Sequence, residues 1–219
     1  MTKKGFIFDL DGVIVDTAKY HFVAWKKLAK SIGIDFTEEQ NEQLKGVSRV
    51  KSLEKILEWG QKNLSKEDFN HLMTQKNKDY LSYINQMDEN EILPDVPKIL
   101  NYLIEEKQGI ALGSASKNAV AILERVKLID KFQAIIDGNG VTKGKPNPEV
   151  FLKAKEKLNI KPEDCIVFED AIAGIQAANS ANMTTIGIGD KDILKEADYV
   201  FKDFTQISTE FINELIKKD

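Results

Sequence analysis

Short runs of consecutive apolar residues punctuate the chain: Gly5-Phe6-Ile7-Phe8, Ile110-Ala111-Leu112, Ala134-Ile135-Ile136, Cys165-Ile166-Val167-Phe168, Thr185-Ile186-Gly187-Ile188 and Tyr199-Val200-Phe201. Runs without polar alternation are expected of parallel strands buried on both faces. Between them the apolar spacing changes to three and four. Asp95 to Lys107 sets Val96, Ile99, Leu100, Leu103 and Ile104 on one helical face, with Pro97 in the first turn. Asn118 to Leu128 carries Val120, Leu123 and Val126. Pro148 to Leu158 begins with Asn147 as expected N-cap and Pro148 at the first helical position. Strands and helices alternating at this pace predict repeated βαβ units: an α/β, Rossmann-like parallel sheet core with helices on both faces.

Residues 17–89 break that rhythm, with helical periodicity and no strand pattern. Phe22, Trp25, Leu28 and Ile32 form one stripe, Leu53, Ile56 and Leu57 a second, and Phe69, Leu72, Met73, Tyr80, Ile84 and Met87 a third. A connection this long carries structure of its own. The expected organisation is an α/β core domain of residues 1–16 and 90–219, with an inserted helical cap domain of residues 17–89 returned by the Leu93-Pro94-Asp95 corner.

Composition narrows the function classes. With 219 residues, 42% hydrophobic and 30% charged, the chain has ordinary globular balance. Its 35 acids against 31 bases leave −4, which disfavours a nucleic-acid binder. No apolar run approaches the ~20 residues of a bilayer span, so no membrane partner is expected. Met1-Thr2-Lys3-Lys4 leads straight into the first strand without a signal-peptide pattern. Cys165 is the only cysteine, so no internal disulfide forms, and a cytoplasmic location is expected. Two histidines and one cysteine exclude a His/Cys zinc site; any metal would be held by oxygen.

The chemistry gathers at strand ends. In Phe8-Asp9-Leu10-Asp11-Gly12, two acids two apart point the same way at the C-terminal end of the first strand, the edge where open α/β sheets bind ligands. Such like charges call for a cation or a shared proton; a solvated acid pair is the alternative. Ile110-Ala111-Leu112 runs into Gly113-Ser114-Ala115-Ser116-Lys117-Asn118, a small hydroxylated turn suited to an anion. Cys165 to Phe168 runs into Glu169-Asp170, which with Asp9 would make an all-oxygen site suited to Mg²⁺. Lys143-Gly144-Lys145-Pro146 brings a lysine to a helix start, where it could neutralise phosphoryl charge.

These segments, in this order, resemble the haloacid dehalogenase superfamily, and the resemblance covers essentially the whole chain. FDLDGVIVDTAKYHFVAW, NEQLKGVSR, GSASKN, KGKPNPEVF and FEDAIAGIQA carry it, the first two reaching into the cap and pointing to the hexose-phosphate mutases of the superfamily. The resemblance implies that Asp9 is the nucleophile, accepting a phosphoryl group, and Asp11 the general acid and base. It implies Mg²⁺ held by Asp9, the backbone carbonyl of Asp11, Asp170 and Glu169, with Ser114 and Lys145 on the transferring phosphoryl group. On the cap, Gly46-Val47-Ser48-Arg49 would present a fork-shaped guanidinium to the distal phosphate, with Ala115, Ser116, Lys117 and Asn118 completing that pocket from the core. His21, Trp25 and Lys76 would lie near the sugar, although each also reads as an ordinary helix-face residue, Lys76 as one that snorkels to an edge.

The implied activity is reversible conversion of β-D-glucose 1-phosphate to D-glucose 6-phosphate through the 1,6-bisphosphate. The substrates would be small-molecule hexose phosphates and the protein a monomer, with hinges near Asp16-Thr17 and Met87-Asp88-Glu89. A sugar-phosphate phosphatase of the same superfamily is the enzymatic alternative; a phosphoacceptor signalling module and a sugar-phosphate-binding module are the others. Lys143 beside Lys145 leaves open which lysine points inward, spacing to Pro146 favouring Lys145. Ala171-Ile172 lacks a hydroxyl often found after the acidic pair, and Cys165 reads as a small core residue.

Overall fold

The computed structural model describes residues 3–218; Met1 and Thr2, where the sequence suggested a direct lead into the first strand, and Asp219 lie outside the described residues. Six strands, β1 Gly5–Phe8, β2 Gly109–Gly113, β3 Ala134–Ile136, β4 Cys165–Glu169, β5 Thr184–Ile188 and β6 Tyr199–Phe201, form one sheet in the order β3-β2-β1-β4-β5-β6. Every pairing is parallel. The helices are α1 Ala18–Ser31, α2 Glu38–Glu42, α3 Arg49–Trp59, α4 Lys66–Ile84, α5 Val96–Glu105, α6 Ala119–Arg125, α7 Glu149–Leu158, α8 Ile172–Ser180 and α9 Thr209–Lys217.

Burial on both faces explains the unbroken apolar runs. Phe6, Phe8, Ile110, Leu112, Ile166 and Phe168 face one way and pack under α5, α6 and α9. Ile7, Ala111, Ala134, Ile136 and Val167 face the other way, under α7 and α8. The chain leaves β1 and builds β2 and β3 on one side, then crosses to β4, β5 and β6 on the other. The order therefore reverses at β1 and β4, and a crevice opens between their carboxyl ends.

Helices α1 to α4 gather most of their apolar residues into a separate cluster, including Trp25, Leu28, Leu53, Ile56 and Leu57. Phe22 and Ile32 of the first sequence stripe are only partly buried against it. The α4 stripe divides: Phe69, Leu72 and Met73 pack on this cluster, whereas Tyr80, Ile84 and Met87 join the core of the sheet. Met87 lies past the helix end. The outgoing and returning segments run side by side, with Asp16 N–H donating to the Glu91 carbonyl (3.0 Å) and Leu93 N–H to that of Ile14 (3.0 Å).

Several element ends differ from the sequence expectation. The helix expected from Asp95 begins at Val96, because Asp95 is left-handed (φ 61°), and it stops at Glu105, ahead of left-handed Lys107. The next ends at Arg125, before left-handed Lys127. Pro148 occupies the cap of α7 in place of Asn147, whose side-chain carbonyl accepts from Glu149 N–H (3.1 Å) one residue further on. Two helices have no counterpart in the sequence reading. Helix α9 is plainly amphipathic, and short α2 buries no residue but carries a Thr37/Gln40 capping box.

Phe8, fully buried, links the two halves of the sheet beneath the crevice. Its ring stacks on Phe168 at 4.6 Å between centroids, and meets Phe132 edge-on at 6.4 Å. Replacing Phe8 by Ala should destabilise the fold by about 3–5 kcal/mol, the usual loss for emptying a buried aromatic site. A urea titration monitored by circular dichroism should show the midpoint fall with little change in slope.

Candidate active site

The crevice at the ends of β1 and β4 receives Asp9 from one strand and Glu169-Asp170 from the other. Asp9 N–H donates to the Phe168 carbonyl (2.9 Å), which extends the β1–β4 pairing by one residue. Asp9 Oδ2 accepts from Asp11 N–H (3.1 Å) and Oδ1 from Lys145 Nζ (2.5 Å). Lys145 Nζ also donates to Glu169 Oε2 (2.8 Å). Lys145 is 2% and Glu169 0% exposed, so one ammonium is shared by two carboxylates away from water. Both carboxylates and their hydrogen bonds hold the Lys145 ammonium above its ordinary pKa despite burial.

One lysine cannot balance the remaining charge. Asp9, Glu169 and Asp170 each offer an oxygen, and these oxygens lie within 4.8 Å of one another. Burial first, and then Asp9, raises the Asp170 carboxyl to about 7. Burial also pushes Glu169 well above the carboxylate range, against the pull of Lys145. Glu169 Oε1 is buried with no hydrogen-bond partner among the described residues. An orphaned carboxylate oxygen beside two further acids fits a hard divalent cation held by oxygen. Two glycines keep that space free. A Cβ on Gly12, whose φ is +79°, would come 2.2 Å from Asp170 Oδ2, and one on Gly174 would come 2.0 Å from Glu169 Cδ.

Asp11 is set apart from this cluster. Its carboxylate accepts from Thr17 Oγ1 at the start of α1 and lies 3.7 Å from His21 Nε2. Its side chain turns toward the helical insert, not in the direction of Asp9 that strand alternation predicts, and its backbone carbonyl stays the implied metal donor. Burial and the neighbouring Asp9 raise the Asp11 carboxyl to about 6. His21 is held well below its ordinary value by burial, then by Lys76 and Arg49, and is neutral. Its Nδ1 pairs with Lys76 Nζ (2.9 Å), and its Nε2 faces Asp11. Lys76 is 2% exposed, its ammonium over the rings of Trp25 and Tyr80 at 4.6 Å each. Burial, then Arg49, lowers it to about 7.

A cavity of about 300 Å³ joins these groups, lined by Asp9, Asp11 and Asp170 at the sheet edge and by His21, Trp25, Gly46, Val47, Ser48, Arg49 and Lys76 opposite. Ala115, Ser116, Lys117 and Asn118 line it from the β2 turn, and Asn118 Nδ2 donates to Asn77 Oδ1 of α4 (3.2 Å), tying insert to core. Ser114, Lys145 and Glu169 stand beneath the lining, Ser114 fully buried with Oγ accepting from Ser116 N–H (3.1 Å). The doubt over the two lysines is resolved: Lys143 is exposed, while Lys145 is buried on Asp9. Cys165 is buried in β4, its thiol raised to about 12 by burial. Sequence reasoning missed Thr17, Tyr80 and Lys45, the last reaching Asp170 at 3.8 Å. Tyr80 was read as apolar stripe, and Thr17 and Lys45 had no partner visible in one dimension.

Comparison with known proteins agrees with this geometry. A family model described as haloacid dehalogenase-like hydrolase matches residues 3–182. The chain is 43% identical over 213 residues to the β-phosphoglucomutase of Bacillus subtilis strain 168, covering 96% of this chain and 94% of that one. A crystal structure of β-phosphoglucomutase from Clostridium difficile superposes with a TM-score of 0.94 at 44% identity, covering 98% and 97% of the two chains. A phosphorylated carbohydrates phosphatase of Thermotoga maritima is 32% identical over 182 residues, 82% of each chain.

The crowded carboxylates make cation binding and stability depend jointly on pH. Asp170 titrates near 7 in the fold against 3.8 as its ordinary value, so folding favours its protonated form. That contribution is complete below the ordinary value and is lost as pH rises through about 7. A divalent cation takes over the neutralising role once the proton has left. Adding Mg²⁺ in place of EDTA should therefore raise Tm more at pH 8 than at pH 5.5, by about 2–4 °C, as read by differential scanning calorimetry.

Proposed function

This chain belongs to the haloacid dehalogenase-like hydrolase family, and from that premise we propose that it is a phosphomutase interconverting β-D-glucose 1-phosphate and D-glucose 6-phosphate through β-D-glucose 1,6-bisphosphate. One observation carries the reading. The cavity brings the nucleophile and acid–base candidates at the sheet edge together with a cationic wall on the inserted helices, and the likeness to two β-phosphoglucomutases extends through those helices.

Asp9 attacks the phosphoryl group and becomes an aspartyl phosphate, splitting one transfer into two. Lys145, already hydrogen-bonded to Asp9, and Ser114 beneath it neutralise and hold the transferring oxygens. Asp9, Asp170, Glu169 and the Asp11 carbonyl would hold Mg²⁺, which when bound supplies positive charge facing the negative phosphoryl oxygens. Asp11, with its carboxyl near 6, is poised to give a proton to the leaving sugar oxygen and to take one from the attacking hydroxyl. His21, whose Nε2 lies 3.7 Å from Asp11, stands beside that acid with Lys76 behind it.

Arg49 on α3, with Ser116, Lys117 and Asn118 opposite, holds the phosphate that is not being transferred. Such a pocket lets the bisphosphate dock by either end, so one site serves both half-reactions. The helices of residues 17–89 act as the cap, hinged at Asp16-Thr17 and Met87-Asp88-Glu89, on the core of residues 1–16 and 90–219. Gly46, with φ +68°, allows close approach: a Cβ there would come 3.0 Å from that of Ala171 on the core. The proposal takes the protein as a monomer acting on small-molecule hexose phosphates, without nucleic acid or membrane as partner. Among the described residues no helix is long and apolar enough to cross a bilayer; a cytoplasmic location is part of the proposal.

Phosphorus NMR of the protein with β-D-glucose 1-phosphate, Mg²⁺ and a trace of the bisphosphate should show glucose 6-phosphate accumulating. Inorganic phosphate as the main product would replace the mutase by the phosphatase reading. In the same assay Asp9→Asn should lose about 10⁴-fold or more in turnover while keeping a native circular dichroism spectrum, and activity near wild type would remove the covalent step.

Arg49→Ala tests the distal grip. It should lower kcat/KM for the mutase reaction by about 10²-fold, the scale for losing a charge-assisted phosphate contact. Phosphorylation of Asp9 by acetyl phosphate, which has no distal phosphate, should change by less than about threefold. Equal losses in the two assays would rule out the grip.

A further inference from the structure

We propose that Asn139, with Gly138 beside it, is a positioning residue for the pocket of the phosphate that is not being transferred. The loop after β3 holds three carbonyls of the β2 turn away from the cavity, so that the Lys117 N–H and the Ser116 hydroxyl are what the anion meets. The inference rests on the distal-phosphate role given to Ser116, Lys117 and Asn118 above.

The carbonyls of Ala115, Ser116 and Lys117 all face that loop. Gly138 N–H donates to the Ser116 carbonyl (3.1 Å), and Asn139 Nδ2 donates to that of Lys117 (3.1 Å). The Ala115 carbonyl packs so closely on Gly138 that a Cβ there would come 2.4 Å from its oxygen. Asn139 is not free to swing. Its Nδ2 also donates to Asp137 Oδ2 (2.9 Å), which commits both amide hydrogens. Asp137 Oδ1 accepts from the backbone N–H of Asn139 (2.9 Å) and of Gly140 (3.2 Å), and Lys153 of α7 donates to the Gly140 carbonyl (2.7 Å). Asn139 is exposed, so these bonds fill no core.

The peptides of the β2 turn are trans, and a trans peptide sets its N–H opposite its carbonyl. The N–H groups of Ser116, Lys117 and Asn118 therefore point away from the loop. The outer two are satisfied inside the turn, Ser116 N–H by Ser114 Oγ (3.1 Å) and Asn118 N–H by Ser116 Oγ (3.2 Å). The middle one, on Lys117, has no backbone acceptor among the described residues. Ser116, Lys117 and Gly138 all line the cavity. Because Ser116 Oγ accepts from the backbone, its own hydrogen is left to donate. An anion thus meets hydrogen-bond donors, while the carbonyl oxygens that would repel it are engaged by Gly138 and Asn139. Without those two partners either peptide can rotate and turn an oxygen toward the phosphate.

Two phosphoryl donors to Asp9 separate this role from a merely structural one. β-D-glucose 1,6-bisphosphate brings a second phosphate to the pocket, and acetyl phosphate brings none. In N139A, KM for Asp9 phosphorylation by the bisphosphate should rise about tenfold with kcat held within about threefold, the pattern for binding lost equally before and in the transition state. Both constants with acetyl phosphate should stay within about twofold. G138A is a second probe: Gly138 lies outside the left-handed region, so an alanine meets chiefly the Ala115 carbonyl, and bisphosphate KM should rise at least as far. An unchanged bisphosphate KM in either variant, or equal losses with both donors, would overturn the assignment. The ratio of the two KM values reads identically whether phospho-Asp9 next meets a hexose or water. The wild-type product therefore judges the proposed function, and the KM ratio judges Asn139.

Discussion

A single buried ammonium organises the charged end of the sheet. Lys145 reaches Asp9 and Glu169 at once, and neither carboxylate is exposed enough for water to share the work. An unpaired carboxylate at that depth would be strongly disfavoured, and breaking a buried pair commonly costs about 3–5 kcal/mol. Yet the pairing is incomplete: the second oxygen of Glu169 has no partner among the described residues, and Asp170 has the partly exposed Lys45 only at 3.8 Å. The site thus pairs its nucleophile with one cation while leaving room for a further positive charge. A fully neutralised cluster would be more stable and chemically idle.

Where that cluster sits follows from chain topology. Because the strand order reverses at β1 and β4, no crossover covers the gap between their carboxyl ends, and acids placed one residue past each strand converge there. The backbone must then yield room. Gly12 and Gly174 belong to the loop after β1 and to helix α8, yet each is required by an acid from β4, since any side chain would overlap Asp170 or Glu169. The same logic governs the approach of the insert, where Gly46 meets Ala171 and Gly144 meets Ser48. Small residues mark the places where the two halves of the molecule touch.

Much of this was legible in one dimension, because buried parallel strands leave uninterrupted apolar runs and strand-end acids stand beside them. Asp9, Ser114, Lys145 and Glu169-Asp170 announce themselves by position after a run. Helix ends were less readable, since left-handed residues such as Asp95 and Lys127 stop a helix through conformation while their side chains look ordinary. An alternating backbone predicts that Asp9 and Asp11 share a direction; a tight turn after β1 instead aims the Asp11 carboxylate at Thr17 and His21. Tyr80 was unreadable as a polar residue of the site, because an apolar stripe gives no hint that one of its members ends in a buried hydroxyl.

A phosphatase and a mutase can share this core, so what separates them is how each treats water at Asp9. An aspartyl phosphate is hydrolysed wherever water can line up behind it, so a mutase gains only if a sugar hydroxyl occupies that position first. The insert supplies such selectivity through charge. Burial first, and then the charge of Arg49, weakens the Lys76 ammonium to about 7. An anionic sugar phosphate offsets that charge; water, being neutral, does not. In the proposed reading, closure around substrate would therefore be favoured over closure around solvent by the charges of the insert, with the Asn77–Asn118 hydrogen bond and the Gly46–Ala171 approach joining insert to core.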